Sequence, residues 1–214
     1  MDLKALEKPL ASIENILSHF PVNQPCLIET GQTLPTAARN GAPPGKIVFL
    51  LSGAMICALG EGDKKQNLAI VTGPSILGLG QLAPSGAIAQ YEAIAPCMVY
   101  SVGVDKFIKI VEENRLWPDV MKIILTIVNT LAARTAASGL QSAYDIIRSY
   151  LIYMDRETAY SLKERYTVVK YMQTFSRLSR SIILKILAEL KAGGFIEMKK
   201  GKLIRINRNL PEKF

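Results

Sequence analysis

Glycine and proline residues divide the first half of this 214-residue sequence into short segments, and this division limits the folds that the chain can adopt. Turn-forming clusters recur between residues 26 and 104, at 41–45, 60–63, 73–74 and 78–86. The β-rich segments between them are residues 26–29, 46–51, 54–59, 68–71, 91–94 and 98–102. Many short strands with turns at this spacing predict an all-β sandwich or jelly-roll-like β-roll.

Helical periodicity surrounds this β-rich region on both sides. Apolar residues recur at helical spacing over residues 2–19, so a short leading helix is predicted there. A second short helix is predicted over 105–113. Pro118 then suits the first turn of a long helix that continues to about Ser138.

The long helix carries more apolar surface than one domain can bury. Its first stripe consists of Val120, Ile124, Ile127 and Leu131, and its second of Met121, Leu125, Val128 and Ala132. One stripe can cover the β-roll, but the other would remain in water at about 25 cal/mol per Å². We therefore predict a homodimer in which the first stripe packs against a second chain. A helix buried on all sides within a monomer is the alternative.

The positive charge of the chain is concentrated in its last third. The formal net charge is +8, and residues 1–138 contribute nothing to it because 11 basic residues balance 11 acidic ones. From Thr167 onward, 11 basic and 3 acidic residues place the whole excess within 48 positions. This density favours a polyanionic partner, and a merely solvated basic surface is the alternative.

The same region has the element order of a winged helix-turn-helix. Ser142 can cap a helix over 143–157, and a short helix over 167–173 leads through a tight connection at 174–177 into a longer helix. Ser179 caps that longer helix, which ends near Lys191 and has one apolar and one basic face. Two alternating segments, 195–198 and 203–206, then form a hairpin with a basic tip. We predict that this module binds double-stranded DNA with the capped helix in the major groove.

The predicted DNA contacts lie at the start of this recognition helix and at the hairpin tip. They are Arg177, Ser179, Arg180, Ser181, Lys185, Lys199, Lys200 and Lys202. Arg180 is placed to read base edges, with phosphate contact as the alternative, whereas the lysines of the hairpin are placed for phosphates.

Other functional classes have little support in the sequence. The longest apolar segments, 47–59 and 117–133, are too short or too interrupted to span a membrane, and a signal-peptide pattern is lacking, so a cytoplasmic protein is expected. An enzyme is not expected, because His19 is the single histidine that a catalytic triad or a metal centre could use. Cys26, Cys57 and Cys97 are interpreted as reduced core thiols, with redox sensing as the alternative.

The order of these parts resembles the CRP/FNR superfamily of regulators over about residues 25–210. The resemblance is carried by the strand pair around Ser52-Gly53, the GPSILG loop at 73–78, the long helix after Pro118, and the segment LSRSIILKILAELKAGGFI followed by the hairpin. Within the superfamily the chain is similar to the enterobacterial IprA type. The resemblance implies an α+β chain with a cyclic-nucleotide-binding-like sensor domain (1–116), a dimerisation helix (117–138) and a winged helix-turn-helix (139–214).

The resemblance also implies roles for particular residues. Ser179 and Arg180 match the family's phosphate and base contacts, and Lys185 falls where a further basic contact is common. Ser181 departs from the family's frequent glutamate, so the family's usual DNA half-site is not carried over to this chain.

The predicted sensor domain departs further from the family's cyclic-nucleotide-binding members. Their Gly-Glu-Leu turn corresponds here to Gly78-Leu79-Gly80, and their Arg-Ser pair corresponds to residues 84–89, so both the acid and the arginine are missing. The N-terminal cysteine cluster of iron–sulfur members is missing as well. No cofactor is therefore predicted, cyclic AMP is not expected to bind, and the identity of any effector stays open.

The leading function is a site-specific transcription regulator that binds an inverted repeat as a dimer. The alternative is a ligand-binding or scaffold protein whose basic C-terminal domain binds nucleic acid without sequence choice. Persistence of a complex against excess random DNA separates the two.

Overall fold

The computed structural model describes residues 8–34, 45–60, 65–83, 89–138, 142–156, 162–176 and 178–212, with only the backbone at 133–138 and 156. The chain divides into two compact units, the first ending at Asn129 and the second beginning at Thr130. The mixed α+β class predicted from the sequence is confirmed.

The first unit is built on two antiparallel sheets of four strands each. The strands are β1 (Cys26–Ile28), β2 (Thr33–Leu34), β3 (Lys46–Ser52), β4 (Ala54–Leu59), β5 (Gln66–Thr72), β6 (Ser75–Leu77), β7 (Ala89–Ala93) and β8 (Cys97–Gly103). Their orders are β1-β8-β3-β6 and β2-β7-β4-β5. The predicted β-roll is confirmed, although the short strands β2 and β6 were not predicted.

Gly53 is the point at which the chain passes from the first sheet to the second. It has φ +93°, and a Cβ at this position would lie 2.4 Å from the carbonyl oxygen of Pro96. Both the backbone conformation and the close approach therefore require glycine. The turn allows β3 to pair with β8 while β4 pairs with β5 and β7.

The helices of this unit begin close to their predicted positions, with one correction. They are α1 (Leu10–Ser18), α2 (Val104–Glu113) and α3 (Trp117–Ser138), the last of which contains the boundary between the units. The prediction of a helix from residue 2 is wrong at residues 8 and 9, because α1 begins only after Pro9. A proline disfavours helical backbone at the preceding residue, and residues 2–7 lie outside the described part of the chain.

Strand β3 is buried on both of its faces and so joins two hydrophobic clusters. Val48 and Leu50 face the space between the sheets, whereas Ile47 and Phe49 face the helices. Phe49 packs against Phe20 and Phe107, at ring-centroid distances of 4.9 and 6.3 Å. This double burial explains the uninterrupted apolar sequence of the strand.

Asp119 links the start of α3 to α1. Its carboxylate accepts hydrogen bonds from Ser12 Oγ at 2.8 Å and from Asn15 Nδ2 at 2.7 Å, and it pairs with Lys122 at 3.4 Å. These donors stabilise the charged form and lower the pKa of Asp119 below its usual value. The contacts fix which face of α3 turns toward the core of this unit.

The interpretation of all three cysteines as core thiols holds only in part. Cys97 is buried and Cys57 is half-buried, but Cys26 is exposed because it begins β1, a strand at the edge of its sheet. None of the three cysteines, all of which are described, forms a disulfide. Burial raises the pKa of the Cys97 thiol.

Apart from the end of α3, the described residues of the second unit form four helices and a hairpin. They are α4 (Ala143–Arg156), α5 (Leu162–Arg165), α6 (Val168–Phe175), α7 (Arg180–Ala192), β9 (Ile196–Lys199) and β10 (Lys202–Ile206). The predicted winged helix-turn-helix is confirmed. The prediction missed α5, and it placed Thr174 and Phe175 in the connection although they end α6.

Across the described residues, no helix has the length and apolar character needed to cross a bilayer.

Replacing Phe107 by alanine should destabilise the first unit by about 3–5 kcal/mol, because its fully buried ring contacts both Phe20 and Phe49. Denaturant unfolding monitored by circular dichroism measures this loss. Leu27→Ala is the control, since Leu27 is 54% exposed and should change stability by less than about 0.5 kcal/mol. Equal losses in the two variants would contradict the assigned core.

Candidate nucleic-acid interface

Helix α7 is fixed at both ends by local hydrogen bonds. Ser179 Oγ accepts a hydrogen bond from the backbone N–H of Ile182 at 3.4 Å, which makes it the predicted N-cap. At the other end the N–H of Phe195 donates to the carbonyl of Leu190 at 2.9 Å, and Gly194 has φ +69°. These contacts define a helix of 13 residues, close to the predicted bounds.

The two faces of α7 differ as the sequence predicted. Its apolar face is buried and consists of Ile183, Ile186, Leu187 and Leu190. The opposite face is exposed and consists of Arg180, Ser181, Leu184, Lys185 and Ala188. The hydroxyl of Ser181 lies 3.0 Å from that of Ser179, so the two serines are hydrogen-bonded to each other at the start of the helix.

Side-chain contacts of α4 and α6 set the turn that precedes α7. The hydroxyl of Tyr150 donates to the carbonyl of Phe175 at 2.7 Å, and the ring of Tyr150 packs edge-on against Tyr171. Ser176 Oγ donates to the carbonyl of Met172 at 2.7 Å. The turn is thus anchored in the unit's core. Arg177, a predicted DNA contact, lies outside the described residues.

The hairpin of β9 and β10, here called the wing, closes through a two-residue turn. Lys200 and Gly201 occupy it with φ +49° and +77°, the positive values that a type I′ turn requires. The N–H of Val168 donates to the carbonyl of Gly201 at 2.9 Å. This bond satisfies a donor at the start of α6 and holds the wing tip beside it.

The lysines of the wing are not equivalent. Lys199 and Lys200 are exposed, whereas Lys202 is half-buried and its ammonium donates to the carbonyl of Glu164 in α5. The sequence did not indicate this contact because α5 was not predicted. Lys199 and Lys200 are therefore the wing lysines presented to solvent.

Several other basic side chains of the second unit have internal partners. Arg205 pairs with Glu197 at 2.9 Å, and Arg208 donates to the carbonyl of Gly193 while lying 4.1 Å from the ring centroid of Phe195. Lys163 pairs with Asp155 at 3.0 Å. Lys170, which the sequence prediction did not include, is exposed on α6. Arg205 and Arg208 remain exposed despite these contacts, whereas Lys163 is half-buried.

The predicted dimerisation stripe of α3 needs correction. Val120 is only 1% exposed and Ile124 packs against the same core, because α1 and the β-roll cover this side of the helix. The exposed residues come mainly from the second stripe, with Met121 at 53%, Leu125 at 51% and Val128 at 51%. Ile127 and Leu131 of the predicted set are also exposed.

The region that corresponds to the cyclic-nucleotide site is described in part. Gly78 has φ +84°, and a Cβ there would lie 2.6 Å from the carbonyl oxygen of Lys46. Burial and the neighbouring Cys57 raise the pKa of Tyr91, which also hydrogen-bonds to the backbone of Gly78. Residues 84–88 lie outside the described part. In the ranges that are described, no three His, Cys, Asp or Glu side chains group together as metal ligands.

Comparison with known proteins agrees with this geometry. Residues 143–212 match the family model described as winged helix-turn-helix DNA binding. The structure is similar to the c-di-GMP responsive global regulator CLP of Xanthomonas campestris (TM-score 0.65, 14% identity, 93% of this chain and 100% of that chain). It is also similar to a CooA mutant from Carboxydothermus hydrogenoformans (TM-score 0.68, 14% identity, 91% and 86%).

The sequence relatives are closer. The protein named inhibitor of hydrogen peroxide resistance from Salmonella typhimurium strain LT2 is 35% identical over 161 residues, which are 74% of this chain and 76% of that protein. The protein of the same name from Escherichia coli K12 is 32% identical over 149 residues, 69% of this chain and 70% of its own length. The chain therefore belongs to the inhibitor of hydrogen peroxide resistance family, the IprA type.

Proposed function

We propose that this chain is a sequence-specific transcription regulator that binds an inverted-repeat DNA site as a homodimer, without cyclic AMP. The observation that carries the proposal is the exposed face of α7, which presents Arg180 and Lys185 while its apolar face is buried. Exposed Lys199 and Lys200 lie at the tip of the wing. A helix that reads base edges and a basic loop that contacts phosphates together give both specificity and affinity.

Dimerisation is supported by the apolar surface of α3. Met121, Leu125 and Val128 are each about half exposed and recur at helical spacing along one side. A second copy of this helix would bury the stripe, and two-fold symmetry would then place two recognition helices about 34 Å apart. The proposed site is thus an inverted repeat with half-sites about 10 base pairs apart.

The first test is selection of bound sequences from random DNA by the full chain, followed by gel shifts with excess random competitor. We expect one inverted repeat to be enriched and to remain bound, at an affinity that cyclic AMP does not change, because the arginine that would neutralise its phosphate is missing. If random DNA competes as well as the selected site, the chain binds nucleic acid without sequence choice. A shift that requires cyclic AMP would contradict the proposed independence.

Two variants test whether α7 reads bases while the wing contacts phosphates. Arg180→Ala should weaken binding to the selected site by about 1–3 kcal/mol and reduce discrimination between bases at one position per half-site. Combining Lys199→Gln with Lys200→Asn should weaken all sequences alike and lower the log K versus log salt slope by about 0.9 per lost contact. Asparagine is chosen because it tolerates the positive φ of residue 200.

Both variants are measured on selected and scrambled DNA at several salt concentrations. Lys199→Gln alone is also compared with Arg205→Gln, because each removes one positive charge and Arg205 already pairs with Glu197. Equal losses on both DNAs for Arg180→Ala would make that residue a phosphate contact.

Dimerisation is tested by placing two charges on the exposed stripe of α3. Leu125→Glu combined with Val128→Glu should give monomers in sedimentation velocity and weaken DNA binding, since only one half-site is then held at a time. Leu27→Glu, which also alters an exposed apolar residue of the first unit, should remain dimeric. A dimeric double variant would show that this stripe is not the interface.

The name of the relatives indicates the process that we propose this chain controls. We infer that it lowers resistance to hydrogen peroxide by acting on transcription. A strain lacking the gene should survive a peroxide challenge better than its parent. Complementation with the wild-type gene should restore sensitivity, and complementation with the Arg180→Ala variant should not. If the Arg180→Ala variant restores full sensitivity, the effect does not depend on base reading.

A further inference from the structure

One large apolar side chain lies within the polar face of the recognition helix. Leu184 is 45% exposed, although it belongs to a helix whose core contacts are already made by Ile183, Ile186, Leu187 and Leu190. It was not among the predicted DNA contacts. Nearly half of the surface of Leu184 is therefore accessible from solvent.

The position of Leu184 places it among the residues proposed to enter the groove. It follows Arg180 by four residues and Ser181 by three, and it precedes Ala188 by four, so these side chains are neighbours on the helix surface. All four are exposed. The side chain of a helical residue leans toward the preceding turn, here toward the helix start that carries Ser181.

Apart from Arg180, the neighbours of Leu184 on this surface offer few hydrogen-bonding groups. The hydroxyl of Ser181 already lies 3.0 Å from that of Ser179, and Leu184 and Ala188 offer only methyl groups. A base edge that faces Leu184 and Ala188 would therefore meet apolar surface beside the polar groups of Arg180 and Ser181. In the major groove, thymine is the base that presents a methyl group, which lies next to its O4 acceptor.

We propose that Leu184 packs against the 5-methyl group of a thymine in the major groove and selects for thymine at one position of each half-site. This inference rests on the proposed function and adds a specificity residue to it. Ala188, one turn further along the same face, leaves room for the base edge beside Leu184 because its side chain is short.

Deoxyuridine provides a direct test because it differs from thymidine only in lacking this methyl group. Each thymine of the selected site is replaced by uracil in turn, with both half-sites changed symmetrically, and binding of the wild-type chain is measured. We expect one position to weaken binding by about fourfold per half-site, the factor that corresponds to one buried methyl group. The other positions should change little.

The variant Leu184→Ala completes a double-mutant cycle with the sensitive thymine. It should bind the thymine site about fourfold more weakly per half-site and lose nothing further when uracil replaces that thymine. Leu184→Met, which keeps an apolar side chain of similar reach, should retain the uracil penalty. Because Leu184 is exposed, unchanged melting temperatures are expected for both variants.

Ile182→Ala is the matched control. Ile182 is 42% exposed on the same helix, but residues two positions apart do not share a helix face, so this variant should keep the full response to uracil. The inference is overturned if the wild type shows no uracil-sensitive position, or if Leu184→Ala remains as sensitive as the wild type. Failure of the proposed function would look different, because random DNA would then compete fully and no site would be selected.

Discussion

The burial of one face of α7 determines what the opposite face can present to DNA. Ile183, Ile186, Leu187 and Leu190 are all buried, so rotation of the helix about its axis would expose aliphatic surface at about 25 cal/mol per Å². The exposed residues are therefore held in one orientation. The Ser179 cap and the hydrogen bond from Tyr150 to Phe175 fix where the helix and the preceding turn begin.

The wing depends on the same framework, because its tip is bonded to the start of α6. The contact from Val168 to Gly201 places the Lys200-Gly201 turn beside the helix-turn-helix. Three nearby basic residues also make contacts within the unit. Arg205, Arg208 and Lys202 contact a carboxylate, a backbone carbonyl with an aromatic ring, and a helix carbonyl. Of these three residues, Lys202 is half-buried, whereas Arg205 and Arg208 remain exposed.

In the first unit, the contacts of Asp119 and the double burial of β3 determine how α3 is used. Hydrogen bonds from Ser12 and Asn15 to Asp119 hold α1 against the first turn of α3. The side bearing Val120 then packs on the core, and the side bearing Leu125 is left exposed. This exposed side is the stripe that we propose as the interface between two copies of the chain.

The sequence by itself determined the types of the longer elements, the charge distribution and the amphipathic face of α7, because each depends on local periodicity and on turn residues close in the chain. Only the tertiary structure decided which stripe of α3 is exposed, since both have the same spacing and the choice is made by α1, about 100 residues away in sequence. The tertiary structure likewise decided that Lys202 contacts α5, because its partner there lies 38 residues earlier in the sequence. Contacts between segments this far apart depend on how the chain packs, and the local periodicity of the sequence does not predict them.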